Sequence, residues 1–258
     1  MITINLSAIA FTIGGISVRW YGIMVALAVL VIVLWLLWEV RRGANLSSDT
    51  ILTAAVVGVP SGVIISRLLH IIDRWDIYSQ NPRLIIGFEG LTIWGAILGA
   101  ALGIWIYSRF SHFRFGYFAD LVVPGLILAQ VVGRVGCTLN GCCYGCETSL
   151  PWGIVYTDPE SYAPLGIAVQ PTQIYEIVFL LIIFAVLFKF RRRFKPEGSL
   201  FLIYLSLYSL WRVGIDFLRE GTSFLFGLHQ AQIIGIIVLA IAVPILVLRT
   251  KWVRAETT

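Results

Sequence analysis

Seven long apolar segments constrain this chain more than any other feature of its sequence. They lie at about Trp20–Trp38, Ile51–Ile72, Leu91–Phe110, Phe118–Gly136, Gln173–Phe190, Leu200–Leu218 and Gln232–Leu248. Each approaches the roughly 20 apolar residues that a helix needs to cross a bilayer. Only 13% of the residues are charged, about half the share in a typical soluble domain. The sequence therefore predicts an all-α, polytopic integral membrane protein with about seven transmembrane helices, and excludes a soluble enzyme or a disordered chain.

The distribution of lysine and arginine predicts the orientation of these helices. Twelve of the 19 basic residues fall in connections on one side, beginning with Arg41 and Arg42, and four fall on the other. Because cytoplasmic loops carry the excess of positive charge, we expect the N-terminus outside and the C-terminus in the cytoplasm. This topology accounts for the net charge of +5, so no nucleic-acid partner is expected.

The longest outer connection, at about 137–169, is rich in glycine and proline. Such a composition is typical of turns and irregular backbone. No internal repeat or soluble segment interrupts the rest of the sequence. We therefore expect residues 1–258 to form a single transmembrane domain with one irregular outer loop.

Unusual polar and aromatic residues gather at the outer ends of the predicted spans. They are Arg134, Arg212 and Asp216 at the ends of outward helices, and Tyr21, Trp94, Gln173, Tyr175 and Glu176 at the starts of inward ones. Each arginine could be a snorkelling residue or half of an ion pair, as Arg212 is placed to be with Asp216 four residues later. Isolated snorkelling would scatter such residues over both surfaces. A shared polar cavity near the outer leaflet is the favoured interpretation.

Two arginines at this depth suit a phosphate group. A guanidinium stays charged and can bind phosphate oxygens through two parallel hydrogen bonds. The phosphate available at this depth is a phospholipid headgroup. The residues themselves thus predict a headgroup site, without indicating a reaction.

The stretch from Gly133 to Gly145 reads GRVGCTLNGCCYG. It resembles the signature G-R-x-G-N-F-x-N-x-E-x-x-G of the bacterial prolipoprotein diacylglyceryl transferase family, with Arg134, Asn140 and three glycines matching. Further pieces follow in the family's order: Ile16–Gly22, Gly90–Gly95, Gln170–Glu176, Trp211–Arg219 and Gln232. The resemblance extends from about Phe11 to Val247, which is nearly the whole chain.

The resemblance implies an activity. Members of the family move the diacylglyceryl group of phosphatidylglycerol onto the lipobox cysteine thiol of prolipoproteins, releasing glycerol phosphate in the first step of lipoprotein maturation. No metal or organic cofactor is implied. Phosphatidylglycerol, the prolipoprotein lipobox peptide and the lipid bilayer are the implied partners. We expect a monomer in the bacterial plasma (inner) membrane, with its active site near the outer leaflet.

The resemblance also implies roles for individual residues. Arg134 and Arg212 would hold the phosphate and its developing charge, and Asp216 would orient Arg212. Asn140 would bind the headgroup or shape the loop, and Gly145 would permit close backbone approach. The remaining substrate-binding residues, at the outer mouth, would be Tyr21, Trp94, Gln173, Tyr175 and Glu176.

The chain departs from the family pattern at five positions. Cys137 stands for asparagine, Cys142 for glutamate, Trp94 for histidine or tyrosine, Ala96 for a second glycine, and Asp216 for the longer glutamate. Indole cannot accept a proton, so Trp94 cannot act as a base. The nearby arginines would lower the pKa of an acceptor thiol. His70, His229 and Glu176 are candidate substitute bases, although a lone histidine at a span end is more often a packing residue.

All four cysteines fall in one stretch: Cys137, Cys142, Cys143 and Cys146. Outside the cytoplasm an oxidising environment favours disulfides, and four cysteines allow three pairings. A structural disulfide bracing the loop that carries Asn140 is the favoured hypothesis. A zinc site and an active thiol pair stay open as alternatives.

Three other functions also stay open from the sequence. A phospholipid-dependent transferase with a different acceptor fits the altered positions 94, 137 and 142. A membrane thiol-redox protein would use the cysteine cluster. A lipid transporter would move lipid without a covalent product, but the sequence lacks the paired broken helices of such proteins.

Overall fold

A computed structural model describes residues 1–85, 92–191, 193–221, 225 and 227–252 of the chain. The helices are α1 (Trp20–Arg41), α2 (Ser48–Asp73), α3 (Trp75–Gln80), α4 (Ile93–Phe110), α5 (Phe115–Asn140), α6 (Thr172–Phe190), α7 (Ser199–Ile215) and α8 (Gln230–Arg249), with 3-10 turns at Pro82–Ile85 and Asp216–Leu218. The strands are β1 (Ile2–Ile4), β2 (Ile9–Ile13), β3 (Ile16–Arg19), β4 (Ile154–Tyr156), β5 (Ala168–Val169), β6 (Phe194–Lys195) and β7 (Lys251–Trp252).

Six of the described helices are long and apolar enough to cross a membrane: α1, α2, α5, α6, α7 with the turn that follows it, and α8. The third predicted span corresponds to a shorter apolar helix, Gly95–Phe110 within α4. Large apolar side chains along these helices are exposed, as at Val56 (71%) and Val247 (74%), which suits contact with lipid rather than water. The prediction of a helical, multi-pass membrane protein is confirmed. The count of seven and the orientation stay predictions.

The chain divides into two compact units, Leu36–Phe118 and the remainder, Met1–Trp35 with Ala119–Thr258. In the first unit, α2 and α4 pack through small residues that recur every four positions: Gly58, Gly62 and Ser66 on α2, and Gly95, Gly99 and Gly103 on α4. A Cβ added at Gly62 would lie 2.9 Å from the Ala96 carbonyl oxygen. Only glycine permits the two backbones to come this close. Small residues at the interface are the usual means by which membrane helices pack closely.

The second unit has its apolar core between α5, α6 and α7. Its buried members are Val123, Ile127, Leu180, Ile183, Leu187, Leu200 and Tyr204. Asp120 of α5 accepts hydrogen bonds from the Gly198 amide (2.7 Å) and the Phe201 amide (2.9 Å). These bonds satisfy amides at the start of α7 that have no partner inside the helix, and so join α7 to α5.

The connection predicted at about 137–169 contains regular elements. Helix α5 continues to Asn140, which places the first residues of the predicted loop in a helix. Strand β4 pairs in parallel with β1 and antiparallel with β5, and β2 and β3 form an antiparallel hairpin. Strand β1 at the N-terminus and strands β4 and β5 of the loop therefore form one three-stranded sheet, in the order β1-β4-β5.

Candidate functional site

Arg134 is held by an ion pair between two helices. Its Nη2 atom on α5 lies 2.9 Å from Oε1 of Glu176 on α6. Glu176 is only 2% exposed, and its Oε1 also accepts a hydrogen bond from the Tyr208 hydroxyl of α7 at 3.0 Å. A buried carboxylate needs such partners, because burying an ion alone is costly. The pair joins α5, α6 and α7 at one point.

Arg212 lies in a different cluster, at the end of α7. Its Nη2 atom is 3.1 Å from Oδ1 of Asp216, as the spacing of four residues predicts. The same carboxylate pairs with Arg219 Nε at 3.8 Å and with His229 Nδ1 at 3.0 Å. Nη1 of Arg212 is buried and has no hydrogen-bond partner. A buried donor without an acceptor is costly, so this N–H is suited to an oxygen from a ligand.

The two clusters are electrostatically connected through Tyr208, whose hydroxyl interacts with the charges of both Arg134 and Arg212. Three guanidinium groups and two carboxylates make up the clusters. The described arginines of the site therefore outnumber its carboxylates by one. A monoanionic ligand would balance the difference.

Two of the predicted substrate residues shape the protein itself. Asn140 is 4% exposed, and its Oδ1 accepts a hydrogen bond from Arg19 at 3.4 Å. Gly145 passes so close to the Leu218 carbonyl that a Cβ could not fit, and its amide donates to the Gln170 carbonyl at 2.9 Å. The close approach predicted at Gly145 is made to backbone.

Gln173 and Tyr175 lie in the first turn of α6, and Tyr21 is the second residue of α1. Their surroundings differ. Gln173 is 1% exposed, and its Nε2 donates to the Cys142 carbonyl at 2.9 Å. The Tyr175 hydroxyl accepts from Trp152 Nε1 at 2.7 Å, and Tyr21 is 38% exposed. Gln173 thus braces the loop through its Nε2 atom, while its buried Oε1 has no hydrogen-bond partner. Tyr21 and Tyr175 lie closer to the surface.

The remaining predicted residues are in the Leu36–Phe118 unit. Trp94 falls at the start of α4, and its side chain lies outside the described residues. The His70 ring packs edge-to-face on Tyr78 at 5.9 Å, which fits a packing residue. Of the two histidines considered as bases, only His229 hydrogen-bonds a carboxylate of the arginine clusters.

Three of the four cysteines form a sulfur cluster. The Sγ atoms of Cys137, Cys142 and Cys143 all lie within 4.8 Å of one another, and none of the four cysteines is joined to another in the structure. A disulfide among them stays a prediction. Hydrogen bonds from Cys137 and Cys142, together with the charges of Arg219 and Arg134, hold the pKa of the Cys143 thiol below its usual value.

The sequence predicted no role for Tyr208 or Arg219, and it named His229 only as a candidate base. Tyr204, Tyr208 and Arg212 recur at four-residue intervals on α7, and this polar row on an apolar helix is a signal that could have found Tyr208. Arg219 ends the motif Trp211–Arg219, but the sequence gives it no role in the site. Its pairing depends on the turn Asp216–Leu218, which the sequence does not indicate.

Comparison with known proteins gives consistent matches along the chain. A sequence model of the family described as prolipoprotein diacylglyceryl transferase matches residues 8–248. The chain is similar to a phosphatidylglycerol–prolipoprotein diacylglyceryl transferase of Dehalococcoides mccartyi, with 52% identity over 251 residues, 97% of this chain and 96% of the relative.

More distant relatives carry the same name. The similar protein of Clostridioides difficile is 36% identical over 231 residues, covering 89% of this chain and 90% of the relative. That of Listeria monocytogenes is 32% identical over 257 residues, covering 95% and 90%. These matches agree with the motif resemblance in the sequence.

Proposed function

This chain belongs to the prolipoprotein diacylglyceryl transferase family, and we propose that it transfers the diacylglyceryl group of phosphatidylglycerol to the lipobox cysteine thiol of a prolipoprotein. The observation that carries the proposal is the site of Arg134, Arg212 and Arg219, whose arginines outnumber its carboxylates by one and which has one buried N–H without a partner. Phosphatidylglycerol has a single phosphodiester charge, which this site would neutralise. The site lies on helices that suit a bilayer.

The reaction follows from the charges. The thiolate sulfur attacks the glyceryl carbon that carries the phosphate ester, a C–S bond forms, and the C–O bond breaks with its electrons leaving on glycerol phosphate. The leaving phosphate gains a second negative charge as the bond breaks. Nη1 of Arg212 can donate to that developing charge, and preorganised donors of this kind supply a large part of catalysis.

The other site residues hold this donor in place. Asp216 fixes Arg212, and Arg219 and His229 fix Asp216. Arg134 adds a second positive charge, held by Glu176. We assign Asn140, Gly145 and Gln173 to the shape of the loop, and Tyr21 and Tyr175 to the outer mouth where lipid and peptide enter.

The location follows from the same proposal. A secreted prolipoprotein and phosphatidylglycerol meet at the outer leaflet of the bacterial plasma membrane. The predicted orientation has Arg134 and Arg212 near that leaflet. We propose that the chain works there as a monomer, since the two clusters that form the site lie within one chain.

Mass spectrometry of a lipobox peptide tests the proposal. The full chain, in vesicles containing phosphatidylglycerol, should add one diacylglyceryl mass to the peptide and none to a peptide in which serine replaces the cysteine. Arg134→Ala and Arg212→Ala should abolish the product, whereas Arg249→Ala, a change of an exposed arginine at the end of α8, should not. Normal turnover in both site variants would overturn the assignment. So would transfer only to water or a small thiol.

A further inference from the structure

Trp211 is a buried hydrogen-bond donor that the arginine clusters do not use. It lies on α7 directly before Arg212, and its indole Nε1 is buried with no hydrogen-bond acceptor among the described residues. Buried donors without an acceptor are costly and therefore rare in folded proteins. Because the atom is shielded from water, an oxygen that satisfies it has to come with a molecule that inserts between the surrounding side chains.

The indole is held in position by a ring on the neighbouring helix. Trp211 stacks on Phe179 of α6, with ring centroids 4.1 Å apart and ring planes inclined by 10°. Such stacking of aromatic rings is favourable, and it uses the faces of the indole rather than its edge. The stack therefore fixes the side chain and leaves the N–H at the ring edge available to a ligand.

This stack is next to the first arginine cluster. Trp211 follows Tyr208 by three residues on α7, so the two share a helix face. Phe179 follows Glu176 by three residues on α6, with the same consequence. Since the Tyr208 hydroxyl donates to Glu176 Oε1 at 3.0 Å, both contacts join the same two helices at neighbouring turns. The free indole N–H is thus adjacent to the charged site.

The stack also borders the apolar core and an open surface. Phe179 packs against the buried cluster that includes Leu180 and Ile183, and these residues lie farther along α6 from the charges. One turn beyond Trp211 on α7, a Cβ added at Gly214 would meet no heavy atom of the described residues within 4 Å. The protein thus presents charged groups, then a single neutral donor, then apolar side chains, with free space beside the donor.

A glycerophospholipid has its groups in the same order. Its phosphate is followed by two acyl esters on the glycerol and then by the hydrocarbon chains. With the phosphate at Arg212, the next polar group of the lipid reaches the neighbouring Trp211. An indole N–H donates one hydrogen bond and accepts none, so it matches a neutral carbonyl oxygen.

We propose that Trp211 Nε1 donates a hydrogen bond to an ester carbonyl of the lipid whose phosphate binds Arg212, and so selects ester-linked lipid as the donor. The assignment rests on the transferase function proposed above. That reaction breaks the C–O bond at the phosphate-bearing carbon and leaves both acyl esters intact. The carbonyl is therefore recognised without taking part in the chemistry, which makes Trp211 a specificity-determining residue.

A comparison of ester and ether lipids tests this contact. Dialkyl phosphatidylglycerol keeps the phosphate and the chains but lacks the carbonyl oxygens. The wild-type full chain should therefore use the diacyl lipid with a kcat/KM about tenfold higher, as for the loss of one hydrogen bond at a buried donor. In Trp211→Phe, which keeps a ring against Phe179, the two lipids should become nearly equal. Trp75→Phe, at a residue 60% exposed on α3, should keep the wild-type preference.

The preference between the two lipids distinguishes recognition from a structural role. A variant that is merely misfolded or loosened loses activity with both lipids equally and keeps the ratio of the two kcat/KM values. An unchanged ratio in Trp211→Phe would overturn the proposal. So would a wild-type protein that does not discriminate between the lipids.

Infrared spectroscopy tests the hydrogen bond without relying on activity. Phosphatidylglycerol with ¹³C-labelled ester carbonyls, bound in detergent at an equimolar ratio to the chain, should show a carbonyl band at lower frequency with the wild-type protein than with Trp211→Phe. The reason is that a hydrogen bond weakens the C=O bond. The unfolding midpoint of the variant, measured on the same sample, shows that it is folded. Identical bands would overturn the proposal.

The two measurements also separate this proposal from the proposed function. If no lipid-modified peptide forms but the carbonyl band depends on Trp211, the transferase assignment fails and the lipid contact stands. If transfer proceeds equally well from the diacyl and dialkyl lipids, the Trp211 assignment fails and the transferase assignment stands.

Discussion

Arg134 and Arg212 are equally buried, each with 17% of its side chain exposed, but they are paired in different ways. The carboxylate of Arg134 comes from another helix and is held by a tyrosine. The carboxylate of Arg212 comes from its own chain segment and is shared with Arg219 and His229. Only Arg212 has a buried Nη1 without a partner.

Equal burial therefore does not distinguish a structural arginine from a ligand-binding one. Arg134 and Glu176 form a balanced pair that connects α5 and α6, so much of its role is to hold the helices and set the local charge. Around Arg212 the cations exceed the acids, which leaves hydrogen-bonding capacity and charge for a substrate. Substitutions at Glu176, Arg212 and Tyr208 separate these two roles.

Glu176→Gln should have the largest effect, and the effect should be on stability. The change leaves the buried Arg134 guanidinium without its carboxylate, and breaking a buried pair in this way costs about 3–5 kcal/mol. Thermal unfolding in detergent should show a strongly lowered midpoint. Glu147→Gln, at an exposed position, is the control. Equal midpoints in the two variants would mean that Arg134 does not depend on this partner.

Arg212→Lys should have the next largest effect, on turnover. Lysine keeps the charge but loses the planar fork that pairs with Asp216 and presents a second donor to phosphate. We expect a loss of roughly 10²–10³-fold in kcat, as for removal of one donor to a developing charge. The unfolding midpoint should change little. A variant that keeps its rate while losing stability would reverse the roles of the two arginines.

Tyr208→Phe should have the smallest effect. It removes one hydrogen bond to the Glu176 carboxylate, and bonds to charged groups are worth about 1.5–3 kcal/mol. We expect a modest drop in the unfolding midpoint together with a several-fold loss of rate, since this hydroxyl interacts with both arginines. Tyr162→Phe, at a residue 61% exposed, should change neither quantity. If Tyr208→Phe changes neither the unfolding midpoint nor the rate, the Tyr208 hydroxyl does not couple the two clusters.

The sequence predicts those parts of the molecule that depend on local spacing. Long apolar runs predict the spans, and a four-residue interval predicts the pairing of Arg212 with Asp216. The pairing of Arg134 with Glu176 could not be predicted, because it depends on how α5 and α6 are rotated about their axes. The packing of α2 on α4 and the pairing of β1 with β4 also depend on how distant parts of the chain meet, which the sequence does not indicate.

The cysteines show the same limit in another form. Their crowding in the sequence favours a disulfide by compartment and count, but the choice among pairings and ligands depends on where three sulfurs point. Helix α5 extends to Asn140, and the residues that follow are held by Thr172 and Gln173. That combination gathers Cys137, Cys142 and Cys143 and leaves Cys146 out, which spacing alone does not indicate.

An experimental structure of the chain with phosphatidylglycerol in a lipid nanodisc would show whether Arg212 Nη1 binds the lipid phosphate. The lipid phosphate should accept a hydrogen bond from Arg212 Nη1 at about 2.7–3.2 Å, with the Arg134–Glu176 pair intact. A phosphate bound elsewhere, with Nη1 of Arg212 hydrogen-bonded to a protein oxygen, would contradict a phosphate site at Arg212.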